Sequence, residues 1–178
     1  MASRSFRIGR AYTGLGLFAT KPIKRKTQIT TYRGWRLTYD EATKRETRGA
    51  RYLFDLNKRW TIDGSPRWNV ARYINHSCRP NATPVSRNGG IAIDALRRIE
   101  PDEEITYHYG KDYHWFFVQD GGCKCAYCRA KVVRRRRKQR KARAVAKART
   151  RARAKTKARA KTRAKARTKT RSKARKLA

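Results

Sequence analysis

The feature that most limits what this chain can fold into is a break in its composition at about residue 130. Of the 48 residues from Lys131 to Ala178, 25 are Lys or Arg and none is Asp or Glu, and Ala and Thr supply most of the others. No Trp, Phe or Tyr lies there. Such a segment has too little apolar surface to offset its conformational entropy, and its like charges repel. The sequence therefore predicts a disordered, low-complexity tail over residues 131–178. Folding falls to the first 130 residues, which hold every aromatic side chain and 24 basic against 12 acidic residues, +12 of the total +37. A segment of that length can bury a core.

No run of about 18 apolar residues occurs, and the start of the chain has no apolar signal region. The expectation is a soluble, intracellular protein with no membrane partner. Its four cysteines are then expected to be reduced, which favours a metal site over disulfides.

Within the first 130 residues the pattern is of short strands and frequent turns. Phe6–Ala11 reads as a strand, Thr13-Gly-Leu-Gly16 as a turn, and Leu17–Ala19 as an extended return. Gln28–Tyr32 alternates like a strand, and Gly34 turns the chain. Thr38-x-x-Glu41 matches a capping box, opening a short polar helix that ends near Gly49. Tyr52–Leu56 and Trp60–Asp63 read as a hairpin pair, and Trp68–Ile74 as one or two helical turns. Ile91–Leu96 and Ile105–Tyr109 complete the strands. Little helix and many strands argue for a mainly β domain.

Two polar clusters interrupt this pattern, Asn75-His-Ser-Cys-Arg-Pro-Asn81 and Glu103-Glu-Ile-Thr-Tyr-His-Tyr109. Taken alone, an Asn-His-Ser run is a capped turn with a satisfied histidine. With Gly14-Leu-Gly-Leu-Phe-Ala19, Tyr32-Arg-Gly34 and a late cysteine cluster in the same order, the chain resembles the SET-domain protein lysine methyltransferases over residues 5–129. It departs from the family at Asp102, where Gly is usual, and at His108, where Asp is usual. The resemblance implies a β-clip fold of small sheets around a pseudoknot, with S-adenosylmethionine as cofactor. It also implies a SET catalytic domain over residues 1–120 and a post-SET-like segment over 121–130.

By the same resemblance, the Gly14-Leu15-Gly16 loop, Asn75 and His76 bind the cofactor. Tyr109 supplies the essential hydroxyl and also touches the cofactor, Tyr32 lines the pocket, and Tyr107 limits how many methyl groups are added. A strand tyrosine packed in the core is the plain alternative for Tyr109. His108 and His114 match no motif and read as ordinary polar positions. Lysine carries a pKa of about 10.4, so a methyltransferase must strip its proton, and an apolar channel does so by desolvation without a dedicated base.

Cys123, Cys125 and Cys128 supply three thiolates, and Cys78 is the one other cysteine. Four sulfurs complete a tetrahedral zinc site; three free cysteines in a connector is the alternative. The family's Cys-x-Cys-x4-Cys segment implies the same site, although the last gap here is two residues. The tail resembles linker-histone and nucleoid-protein tails in composition, and a flexible polycation binds phosphates without reading bases.

The reading is thus a cofactor-dependent protein lysine methyltransferase, mainly monomethylating, tethered to nucleic acid. Its substrate is a basic protein, whether a histone, a nucleoid protein or its own tail, in a nucleoid, nucleus or host chromatin. The competing reading is a catalytically idle SET-like module in a DNA-compacting protein. The oligomeric state is not legible.

Overall fold

Strand β1 (Phe6–Ala11) turns at Tyr12 and Thr13 into β2 (Gly14–Ala19), an antiparallel hairpin in register from Phe6 opposite Ala19 to Ala11 opposite Gly14. This is a computed structural model, in which residues 5–110 and 122–175 are described. His114 and the expected domain boundary at residue 120 lie outside the described residues. The chain divides into two compact units, residues 1–129 and 130–178.

In the first unit, β3 (Gln28–Tyr32) is followed by β4 (Trp35–Thr38) and the helix α1 (Tyr39–Thr47). Thr38 caps α1 by accepting from the Glu41 backbone N–H, and Glu41 accepts from the Thr38 N–H at 2.8 Å. The capping box satisfies two otherwise orphaned helix donors. The Thr38 bonds also hold the Glu41 carboxyl below its usual range, backbone bond first.

Next come β5 (Leu53–Asp55), β6 (Trp60–Asp63), a 3-10 turn at Val70–Tyr73, and the two-residue β7 (Asn75–His76). Strands β8 (Ala82–Arg87), β9 (Gly90–Ala95) and β10 (Glu104–Tyr107) follow. They form three small sheets, β1-β2-β10-β7, β3-β9-β8 and β4-β6-β5. The mainly β SET-type architecture expected from the sequence is the one observed.

Three strands escaped the sequence reading. Strand β4 is four residues long, β7 only two, and β8 carries Pro84. A proline cannot donate to a ladder, and β8 tolerates it because it lies at a sheet edge. Strand β10 ends at Tyr107, two residues before the expected end at Tyr109.

The core is built from Leu17, Ile74, Ile93, Ile99 and Ile105, each under 2 % exposed. Burying each such side chain contributes about 1.5–3 kcal/mol. Strand β10 carries Ile105 into that core while pairing with β2 on one side and β7 on the other. The parallel β7 pairing sets Thr106 opposite Asn75 and Tyr107 opposite His76. The two polar clusters of the sequence thereby become neighbours.

Asn81 fixes this junction. Its Nδ2 donates to Glu103 Oε1 at 3.0 Å and to the Glu104 carbonyl at 2.9 Å, and its Oδ1 accepts from the Thr106 N–H at 2.8 Å. Asp102, just before, has φ +60°. That left-handed conformation suits the glycine usual there, and Asp is among the few other residues that adopt it readily. Its carboxylate pairs with Arg7 at 2.8 Å.

Helix α2 (Ala126–Arg175) corrects the expectation of a disordered tail: fifty residues form one helix. The sequence reading weighed charge repulsion and missing apolar surface but not local propensity. Ala, Arg and Lys are among the strongest helix formers, and no Gly or Pro occurs beyond Gly122. Like-charge pairs one turn apart oppose the helix by only about 0.2–0.5 kcal/mol each. Every residue from 130 to 156 is exposed, so no packing contributes there. Among the described residues, no helix is long and apolar enough to cross a membrane.

Candidate active site

Four aromatic side chains meet beside the β10–β7 junction. Tyr32 ends β3, Phe54 lies in β5, Tyr107 ends β10, and Tyr109 follows two residues later. Their ring centroids are 5.2 Å apart for Tyr32 and Phe54, 6.3 Å for Phe54 and Tyr107, and 5.1 Å for Tyr107 and Tyr109. With Arg51, Tyr52, Leu53 and Arg72 they enclose a narrow pocket of about 60 Å³.

The pocket is held rigid by hydrogen bonds. Tyr32 Oη donates to the Tyr52 carbonyl at 2.9 Å, and Tyr109 Oη donates to the Ile74 carbonyl at 2.7 Å. Gly64 makes room for Tyr32, because a Cβ there would lie 2.3 Å from the Tyr32 hydroxyl.

Tyr109 also lines a second, larger cavity of about 570 Å³. Asn75, His76, Glu103, Glu104 and Thr106 line it, together with Tyr12, Thr13 and Tyr127. Of all these residues only Tyr109 and Arg51 line both cavities. Two stacked cations lie within this lining, Arg129 over the Tyr12 ring at 3.7 Å and Arg79 over Tyr127 at 5.2 Å. Burial raises the Glu103 carboxyl pKa, but bonds from Arg97, Asn81 and the Glu100 backbone outweigh it and hold the group below its usual range.

Gly14, Leu15 and Gly16, expected as part of a turn, instead open strand β2, paired with Ala11, Arg10 and Gly9, and they are not part of either lining. Gly14 has φ +119° with open space around it, and Leu15 is exposed. Gly16 permits close packing of protein on protein: a Cβ there would meet Glu104 Oε1 at 2.9 Å and Asn75 Nδ2 at 3.2 Å. Asn75 Nδ2 donates to the Leu15 carbonyl at 3.0 Å and to Glu104 Oε1 at 2.7 Å. The start of β2 therefore positions Asn75 at the cavity wall.

His76 joins the tyrosine to the cysteines. Its Nδ1 accepts from the Tyr109 N–H at 3.3 Å, so in the neutral ring Nε2 carries the proton and points it at Cys78 Sγ, also at 3.3 Å. Cys78 Sγ lies 3.7 Å from Cys123 Sγ and 3.6 Å from Cys128 Sγ. The donor atoms of His76, Cys78, Cys123 and Cys125 all fall within 4.8 Å of one another.

Burial, then bonds from the neighbouring thiols, pushes the Cys78 thiol well up, and burial pushes Cys123 up to about 11. Burial also raises Cys125, but hydrogen bonds from the backbone at Cys78 and Cys128 and from two thiols bring it down to about 7.

A family model described as the SET domain matches residues 14–110, more than half of the chain. The chain belongs to the SET-domain family. Among curated relatives, the H3 lysine-4 specific histone-lysine N-methyltransferase of Emericella nidulans is 38% identical over 120 residues, 62% of this chain and 10% of that protein. Histone-lysine N-methyltransferase 2D of Homo sapiens is 36% identical over 110 residues, 56% of this chain and 2% of that protein. The chain thus spans a tenth or less of these relatives. Among solved structures, the Chaetomium thermophilum polycomb repressive complex 2 aligns with a TM-score of 0.57 and 28% identity, covering 62% of this chain and 16% of that one. A ctPRC2 structure bound to S-adenosylmethionine aligns at 0.55 and 28%, covering 61% and 15%.

The SET cavity fits a cofactor of this type. Its volume lies within the roughly 300–1,000 Å³ of small-molecule sites. Tyrosine rings in the lining offer apolar faces to an aromatic base, and the carboxylates of Glu103 and Glu104 lie on the same lining for cationic groups. The cysteines fit zinc equally well. Tetrahedral zinc with sulfur ligands at about 2.3 Å requires sulfurs about 3.8 Å apart, and the two observed separations are close to that. The ligand atoms that all lie within 4.8 Å of one another are those of His76, Cys78, Cys123 and Cys125, and Cys128 Sγ stands 3.6 Å from Cys78 Sγ, so His76 and Cys128 both border the site.

Sequence reasoning named Tyr32, Tyr107 and Tyr109, which the fold brings together, and missed Phe54, Arg51 and Arg72 in the same walls and Gly64 behind Tyr32. Phe54 read as ordinary core, and nothing local marks Gly64 or the two arginines. Asn81 stood inside the signature without a role, and its fourfold bonding at the junction now supplies one.

Proposed function

We propose that this chain is an S-adenosylmethionine-dependent protein-lysine N-methyltransferase. One observation carries the reading: Tyr109 is a common wall of the large cavity, which suits the cofactor, and of the narrow aromatic pocket, which suits a lysine side chain. When bound, S-adenosylmethionine supplies an electrophilic methyl group on a sulfonium.

The chain's own residues supply desolvation, alignment and oxygen atoms. Tyr32, Phe54, Tyr107 and Tyr109 form walls that penalise an ammonium, so the incoming lysine gives its proton to water before transfer. Tyr109 commits its hydroxyl proton to the Ile74 carbonyl, leaving oxygen lone pairs at the boundary between the two chambers. Holding the amine in line there converts an encounter into an intramolecular step.

The finer assignments belong to the same proposal. Asn75, His76 and Tyr109 bind the cofactor, and the start of β2 at Gly14, Leu15 and Gly16 supports Asn75. Cys78, Cys123, Cys125 and Cys128 hold zinc, which ties the segment carrying Tyr127 and Arg129 beside the cofactor cavity. Tyr107 restricts the product to monomethyl-lysine. Helix α2 binds nucleic acid through phosphates, and the substrate is a chromatin- or nucleoid-associated protein, which agrees with the histone-directed names of the relatives.

The test is incubation of purified chain with labelled S-adenosylmethionine and mixed proteins, histones and its own tail included. Label on lysine is expected. Cofactor binding with no transfer to any protein would favour the idle, DNA-compacting alternative.

A further inference from the structure

Basic residues in α2 alternate strictly with small ones. Over residues 147–175 every odd-numbered position is Lys or Arg, and every even-numbered position is Ala, Thr or Ser. In an extended chain this period of two would put all the charge on one side. The whole stretch is helical, however, and a helix advances about 100° per residue, so each basic position stands about 200° from the one before. The nine successive basic positions from Lys147 to Arg163 then fall about 40° apart and complete the circle. The run of Arg and Lys at residues 134–138 also passes right round the axis.

The charge is therefore radial, with no neutral side. Residues 131–175 hold 24 Lys or Arg and no acid, and residues 131–156 are exposed throughout. Apart from Ala, the apolar residues beyond residue 130 are Val132, Val133, Val145 and Leu177. Such a helix has no apolar stripe to lay into a bilayer or into the groove of a protein partner. At about 1.5 Å per residue, residues 131–175 reach about 70 Å, the length of about two turns of a nucleic-acid duplex.

A duplex lying along this helix touches one side of it. The basic positions on the opposite side stay unmatched and face solvent as a second polycationic surface. We infer that α2 bridges two double-helical nucleic-acid segments, one on each side. The inference rests on the reading of α2 as a nucleic-acid binder and is independent of methyl transfer. Two duplexes repel each other, and a rod of cations between them releases condensed counterions from both. Phosphate contacts read no bases, so any two segments serve.

The test uses the full chain and two duplexes of about 30 base pairs, about three helical turns, one carrying a donor dye and the other an acceptor. At one chain per two duplexes, energy transfer and a sedimenting complex of two duplexes with one chain are expected at low salt, both declining as salt rises. A control variant keeps the composition of residues 131–175 but regroups its basic residues at spacings of three and four, on one side of the helix. At equal helix content by circular dichroism, it should bind a single duplex within about threefold of the wild-type affinity while energy transfer falls at least about tenfold.

Single-duplex binding by the wild type without a two-duplex complex overturns the inference alone. Equal energy transfer from the regrouped variant also overturns it, because a disordered polycation or a dimer of chains would give that result. If the full chain binds no duplex, the nucleic-acid reading fails and takes the inference with it. Tighter binding of poly-glutamate than of duplex would assign the surface to acidic proteins and overturn it too.

Discussion

Gly64→Ala is a single methyl group added behind the aromatic pocket. Its Cβ would lie 2.3 Å from Tyr32 Oη and 2.4 Å from two carbons of the same ring. Ordinary carbon contacts begin at about 3.5 Å, so the ring has to retreat by about 1 Å. That movement breaks the 2.9 Å bond from Tyr32 Oη to the Tyr52 carbonyl and shifts one wall of a pocket of only about 60 Å³. Overpacking costs about 1–3 kcal/mol and the lost hydrogen bond about 1 kcal/mol more, so thermal or urea unfolding should register about 2–4 kcal/mol. Misplacing a reacting group by about 1 Å costs about a hundredfold in rate. Neither Gly64 nor Tyr32 lines the large cavity, so calorimetric titration should find S-adenosylmethionine affinity unchanged. Wild-type turnover would refute the reasoning, because the pocket would then not be where lysine reacts. Cofactor affinity that falls in step with turnover would refute it too, because the chambers would not be separate.

Cys125→Ser should reduce bound metal from about one zinc per chain, by elemental analysis, to a small fraction, and strong chelation of the wild type should remove metal and activity together. A metal-free preparation with full activity would exclude the site from function. Ending the chain after residue 130 should leave methylation of a free peptide within about twofold while sharply weakening DNA binding. The log-log salt slope of DNA affinity should fall by about 0.9 for each phosphate contact removed. Equal DNA affinity of the shortened chain would place the contact in the first 130 residues. Tyr107→Phe should shift products from monomethyl- towards di- and trimethyl-lysine by mass spectrometry, with the first transfer retained; abundant trimethyl-lysine from the unchanged chain would assign the limit to another residue.

The polar clusters were legible through the ordered motifs that resemble the SET-domain family: taken alone, Asn75-His-Ser reads as a capped turn, and only with Glu103 to Tyr109 and the other motifs does it read as part of a site. Their meeting was not legible, since it depends on the parallel β7–β10 pairing of two very short strands and on Asn81 bridging about 25 residues of chain. The Gly-Leu-Gly segment, which opens β2, shows the opposite lesson. Its residues were recognised, but Gly16 is glycine because Asn75 and Glu104 pack against it, a constraint set by residues about 60 and 90 positions away. Gly64 carries no local signal at all, as its reason is the Tyr32 ring. Helix α2 was misread because a lack of apolar surface predicts no packing, which holds, but does not forbid a helix built on propensity alone.

The claim at the centre of this account is that the Tyr109 hydroxyl works at the boundary between a cofactor chamber and a lysine pocket. The direct test is Tyr109→Phe, with transfer of label from S-adenosylmethionine to a peptide measured beside cofactor affinity and thermal melting. The expected result is transfer reduced by about a hundredfold to a thousandfold, the range for losing one oriented polar group at a reacting centre, with cofactor affinity and fold retained. A Tyr109→Phe chain that methylates lysine at the wild-type rate would contradict the account.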